Sequence, residues 1–159
     1  MKDMTVPAAL RRALAARSLD SHLFARAEPG DLPPETGAYL LLLGLSRETA
    51  VIRTKNRRIF APGWYVYAGN AYGPGGLAAR IGRHFRRGKP RHWHIDSLTD
   101  AADLFAVTIP GGTECNLIAR LRSEPGFGVP VPGFGSSDCR TCESHLLGWQ
   151  GAYQPGSIP

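Results

Sequence analysis

GWYVYAGNAYGPGGLAARIGRHFRRGKPRHWHID, Gly63 to Asp96, decides how the rest of the chain is arranged. Trp64-Tyr65-Val66-Tyr67 is an aromatic run of the kind that forms a strand. Side chains alternate along a strand, so Tyr65 and Tyr67 share a face. A turn follows, with Gly69, Gly73, Gly75 and Gly76 around Pro74. A helix is predicted from about Leu77 to Arg87. Leu77, Ile81 and Phe85 recur at spacing four and form its apolar stripe. Arg80 and His84 form a second stripe beside it. His92 and His94 would share one face if HWHID is a strand, which makes a metal trio with Asp96. The favoured alternative puts Trp93 and Ile95 in the core, with the histidines and Asp96 capping or bonding neighbours.

Charge extends the reading outward. From Thr49 to Ile95 there is no Asp or Glu. The same window holds Arg53, Lys55, Arg57, Arg58, Arg80, Arg83, Arg86, Arg87, Lys89 and Arg91, more than half of the chain's 19 Lys and Arg. Net charge is +6 and the sequence pI is about 9.7. A one-signed block of this length is expected to face a polyanion, which makes nucleic acid the leading partner. Arg83, Arg86, Arg87, Lys89 and Arg91, with His92 and His94, are the expected nucleic-acid contacts.

With 159 residues, one domain with a short extension is expected. The longest apolar run, Leu40 to Leu43 continued by Gly44 and Leu45, is too short to span a bilayer, so no membrane is expected. No secretory signal pattern is evident at the N-terminus. Three cysteines, an odd number, argue against a disulfide framework and point to a reducing, cytoplasmic setting.

Residues 1–36 read as an N-terminal extension: a helix from Val6 to about Arg17, then a linker, EPGDLPP, from Glu28 to Pro34. Residues 37–150 form the domain, and 151–159 a tail. Gly37 to Leu45, GAYLLLLGL, is rich enough in Leu to be a central strand. Thr49 to Thr54 reads as its hairpin partner, and Ile59-Phe60 as a short third strand. Asp103 to Ile109 is another strand. Thr113 is a good N-cap for a helix running to about Ser123. Ser144 to Trp149 is a final short strand or helix. This order gives an α/β (α+β) domain, with a small antiparallel sheet and flanking helices.

Two further motifs stand apart. Cys139-x-x-Cys142-x-x-His145 offers three zinc ligands, with Cys115 or a histidine as a fourth. The favoured alternative is a buried Cys139, an incidental Cys142 and a His145 bonded to a loop. Gly133 to Ser137, GFGSS, is a weak phosphate-loop signal.

Tyr39 in GAY, Tyr67 in YAG, Arg80 and His84 on the next helix, and Glu114 opening a later one together resemble the GIY-YIG nuclease superfamily. YAGNAYGPGGLAARIGRHFR, HWHID, TEC, GFGSSDC and SHL, in that order, resemble its Uri-type branch from Gly37 to Trp149. Tyr39 and Tyr67 lie 28 residues apart, farther than in many members, with Thr49 to Phe60 inserted between them. Asn70 stands where many members carry a lysine. The resemblance implies a GIY-YIG-like fold and a divalent-metal-dependent endonuclease acting on DNA, in repair or processing. It implies Tyr39, Tyr67, Arg80, His84 and Glu114 as catalytic residues, with Glu114 holding one Mg²⁺ or Mn²⁺. The alternatives are a non-catalytic nucleic-acid-binding module with the same fold and basic face, and a zinc-stabilised interaction domain.

Overall fold

Tyr39, Leu41, Leu43 and Leu45 point to one side of their strand, while Ala38, Leu40 and Leu42 point to the other. Both sets are buried, because helices cover both faces of the sheet. That is why GAYLLLLGL reads as a continuous apolar run rather than an alternating one. The computed structural model describes residues 4–53, 56–134 and 141–150. Among them the elements run α1 (Ala8–Ala15), β1 (Phe24–Ala25), β2 (Gly37–Leu45), β3 (Thr49–Arg53), β4 (Asn56–Phe60), β5 (Gly63–Ala71), α2 (Gly76–Phe85), α3 (Ile95–Ala101), β6 (Asp103–Pro110), α4 (Glu114–Arg122), β7 (Phe127–Gly128) and β8 (Leu146–Trp149). The chain is one mixed α/β domain with a small antiparallel sheet and flanking helices, as its pattern predicts. No helix among the described residues is long and apolar enough to cross a membrane.

Six strands lie in the order β1-β6-β2-β5-β8-β7, all antiparallel. β2 is central, as expected. Its register with β5 pairs Tyr39 with Gly69 and Leu41 with Tyr67. One core layer joins Tyr39, Leu41 and Leu43 to Leu77, Ile81 and Phe85 of α2 and Leu98 of α3. The other joins Leu40 and Leu42 to Leu10 and Leu14 of α1 and Leu117, Ile118 and Leu121 of α4.

Three expectations are corrected. Thr49–Arg53 does not pair with β2, because β5 and β6 already occupy both edges of that strand. It pairs with β4 instead, in a separate two-stranded sheet. HWHID is not a strand: Ile95 and Asp96 open α3. The aromatic of that motif is not in the core either, since Trp93 is 41% exposed. The tail 151–159 lies outside the described residues.

The N-terminal segment is packed into the same body. β1 pairs with β6, and the linker closes the start of α2. The Leu77 N–H donates to the Glu35 carbonyl at 2.9 Å, and that of Ala78 to Pro33 at 2.8 Å. These bonds satisfy donors that a helix start leaves without intrahelical partners. Gly76 permits the approach, with φ of 59° and no room for a Cβ beside the Pro34 and Glu35 carbonyls. At the other end of α2, the Arg26 guanidinium donates to the carbonyls of His84 and Phe85 and to those of Thr99 and Ala102, joining the ends of α2 and α3. Nothing in the local sequence marks Arg26 for that task.

Candidate active site

The first anchor is a close cross-strand approach. The Tyr39 ring lies directly over Gly69, so any Cβ there would overlap the phenol. The glycine of YAG is thus the space into which Tyr39 folds. The Tyr39 hydroxyl then reaches His84 Nε2 at 2.8 Å. Tyr67, two residues before Gly69 on the same face of β5, sets its ring 6.3 Å from the His84 ring, edge-on. Both tyrosines converge on α2 because Leu77, Ile81 and Phe85 seat that helix on their layer.

His84 is 1% exposed. Burial above all, with Lys89, Arg83 and Arg80 against it, drops its pKa to about 3, so the ring is neutral near pH 7. Burial, and then the neighbouring Tyr67, lifts the Tyr39 phenol well above its ordinary range. Arg80 opposes that rise by its charge and a hydrogen bond. His84 Nδ1 is buried and has no hydrogen-bond partner among the described residues, so the ring's hydrogen bond is the one that Nε2 makes with the Tyr39 hydroxyl. Tyr67 is pushed up to about 12, by burial first and Glu114 second.

Arg80 is fixed from the outside by Trp93, whose ring centroid lies 4.8 Å from its guanidinium carbon. Arg83 stacks on the same ring at 4.2 Å. Trp93, which sequence reasoning had sent to the core, is thus an exposed platform holding two arginines beside His84. Asp96 sets that platform. Its carboxylate accepts from the N–H groups of His92 and Trp93 at 2.8 and 3.0 Å and takes both arms of Arg83 at 2.9 Å.

Glu114 arrives from the other layer. α4 packs its Leu117, Ile118 and Leu121 against the far face, but its first residue stands at the rim of the sheet. Thr113 caps this helix as expected, accepting from the Asn116 N–H. The Glu114 N–H donates to Asn70 Oδ1 at 2.9 Å. Asn70 thus tethers α4 to the end of β5. From there the Glu114 charge acts on both Tyr39 and Tyr67. The structure therefore brings Tyr39, Tyr67, Arg80, His84 and Glu114 together.

It does not leave every expected phosphate contact available. Lys89 is buried, and its ammonium donates to the carbonyls of His84 and Arg86, to Thr99 Oγ1 and to Asp100. Arg83 is committed to Asp96. Arg87 is exposed yet donates to the carbonyls of Asp100 and Ala102. Arg86 and His92 are exposed, as is Arg91, which has Asp100 at 4.0 Å. His94 rests on Phe134, ring centroids 5.5 Å apart.

Next to Glu114 lies a second group, in which the fold brings Cys115 to the Cys142 and His145 that the sequence offered as metal ligands. Ligand atoms of Cys115, Cys142 and His145 all fall within 4.8 Å of one another. This set is able to hold a metal ion. Cys139 and the residues Gly135 to Ser137 of GFGSS lie outside the described residues.

The chain belongs to the family described as a domain of unknown function, DUF123, which matches residues 38–156. The match begins inside β2 and leaves α1 and β1 before it. No curated protein and no solved structure matches the chain.

Proposed function

We propose that this protein is a divalent-metal-dependent endonuclease of the GIY-YIG type that hydrolyses phosphodiester bonds in DNA. The meeting of Tyr39, Tyr67, Arg80, His84 and Glu114 at one end of the sheet carries the reading. Hydrolysis needs a proton acceptor for the attacking water and compensation for charge that builds on phosphate oxygens. The Tyr39 oxygen takes the water's proton as its own passes to His84 Nε2. His84 is neutral beforehand, so its Nε2 is available, and its low pKa makes it a relay that passes the proton on rather than a store. Arg80 grips non-bridging oxygens with its fork. Tyr67, less enclosed than Tyr39, positions the water or the phosphate. Glu114, partly exposed at the rim, suits an ion such as Mg²⁺ or Mn²⁺, which binds one carboxylate and keeps several waters. Such an ion would supply charge stabilisation at the phosphate.

Single-stranded, branched and duplex DNA, offered with Mg²⁺ or Mn²⁺, test the reading. Glu114→Gln is expected to abolish cleavage and spare binding. Arg80→Ala is expected to cut the rate by about 10²–10³-fold and weaken binding as well. His84→Ala should lower the rate more than the affinity. Wild-type protein that binds DNA but cleaves no substrate with either ion would overturn the nuclease.

A second reading, a non-catalytic nucleic-acid-binding module, is favoured by Asn70. Its side chain is occupied as a cap for the Glu114 N–H and offers phosphate no charge. Asn70→Lys is then the variant to assay for gained cleavage. Neither reading uses the thiols, since thiolate and imidazole select softer metals than magnesium.

A further inference from the structure

We propose that Cys115, Cys142 and His145 form a zinc site, with Glu114 orienting its histidine. The inference stands on the thiol and imidazole geometry and does not depend on nuclease activity. A tetrahedral zinc, with sulfur at about 2.3 Å and nitrogen at about 2.0–2.1 Å, needs neighbouring ligand atoms roughly 3.5–3.8 Å apart. Cys115 Sγ and His145 Nε2 are 3.8 Å apart, and Cys142 completes a triangle within 4.8 Å. His145 is 2% exposed, and its Nδ1 has no partner within hydrogen-bond distance among the described residues. That nitrogen faces Glu114 Oε2 at 3.6 Å. A metal-bound histidine ordinarily turns its other N–H toward a carboxylate, which fixes the ring and raises its basicity. The Thr141 hydroxyl adds an outer contact, 3.6 Å from Cys115 Sγ and 3.9 Å from Cys142 Sγ.

The three ligands come from the first turn of α4, the connection between β7 and β8, and the entry to β8. One ion adds a ligand bridge between α4 and the approach to β8, which the Arg122–Glu143 pair at 3.2 Å already links at the surface. It also fixes His145 and, through it, Glu114. Binding releases two protons to solvent as the thiols become thiolates. The fourth coordination position is completed by water or another donor.

The full chain, expressed with added zinc and desalted, should carry about one zinc per molecule by mass spectrometry of the metal. Replacement by Co²⁺ should produce a thiolate-to-cobalt charge-transfer band and intense tetrahedral ligand-field bands. Cys115→Ser and Cys142→Ser should each lose that spectrum. Cys142→His should keep the ion with a weakened charge-transfer band. Glu114→Gln should keep the ion with affinity lowered about 10–100-fold. The wild-type spectrum reads thiolate ligation directly, so a variant that fails to fold does not block the test. Three results would overturn the site: wild-type protein with far less than one zinc and no cobalt bands, an unchanged spectrum in the double Cys115→Ser/Cys142→Ser variant, or a Cys115–Cys142 disulfide in freshly purified protein. Each can occur whether or not DNA is cleaved.

Discussion

The two halves of the acid-free window meet opposite fates. Around α2, Arg83 is clasped by Asp96, Lys89 is sealed against Asp100 and Thr99, and Arg87 turns onto carbonyls at the end of α3. In the β3–β4 hairpin, Arg57 and Arg58 stay in solvent, beside Ile52 at 68% and Ile59 at 47% exposure. The acids that neutralise the first half, Asp96 and Asp100, lie just beyond the window and return to it through α3. A one-signed stretch of sequence is therefore not a one-signed surface. Arg83, Arg87 and Lys89 became structural, while Arg57 and Arg58 on the separate hairpin stayed exposed.

The largest effect should come from breaking the internal half. Burial alone would raise the Asp96 carboxyl, but Arg83 and two backbone N–H donors hold it at about 2. Asp96→Ala leaves Arg83 without its partner and the Trp93 turn without its cap. A loss of about 3–5 kcal/mol in denaturant unfolding is expected, as for other broken buried pairs. Arg58→Ala, measured alongside, should stay within about 0.5 kcal/mol of wild type. Equal losses in both would erase the contrast.

The pH dependence of stability sharpens it next. His84 is neutral when folded down to about pH 3, whereas an unfolded histidine protonates near 6.5. The unfolded chain then binds more protons, so this contribution is complete above pH 6.5 and is lost as pH falls toward 3. The slope should approach about 1.4 kcal/mol per pH unit between pH 6 and 4. It should vanish in His84→Gln. A wild-type stability flat across that range would mean the ring is not sealed.

The smallest effects belong to the exposed half and are read in binding. Removing Arg57 and Arg58 together should weaken DNA affinity for all sequences alike. It should flatten the salt dependence by about 0.9 per lost phosphate contact, with stability almost unchanged. Lys89→Met should do the reverse, lowering stability by about 1–3 kcal/mol with the salt slope intact. A salt slope that responds to Lys89 and ignores the hairpin would invert the comparison.

How much of this was legible depends on the range of the forces involved. β2, the apolar stripe of α2 and the Thr113 cap of α4 follow from spacing and capping within a few residues. Tyr39, Tyr67, Arg80, His84 and Glu114 were named from sequence, and they meet. α3 was hidden because Asp96, Ser97 and Thr99 are poor helix formers locally, and only tertiary partners such as Lys89 and Arg83 satisfy them. The hairpin was mispaired because proximity suggested β2, whose edges were taken by strands further along the chain.

The sequence by itself thus determined the longer strands β2, β5 and β6, the helices α2 and α4, and the residue types at the site. Tertiary structure alone decided which cations are spent inside, that Trp93 lies outside under two arginines, that Arg26 closes two helix ends, and that Cys115 and Cys142 flank His145. Periodicity and capping act within one helical turn or one strand pleat, so a reader of sequence sees them. Ion pairing, stacking and ligation act between residues the fold brings together, and their partners are chosen only when the chain closes on itself.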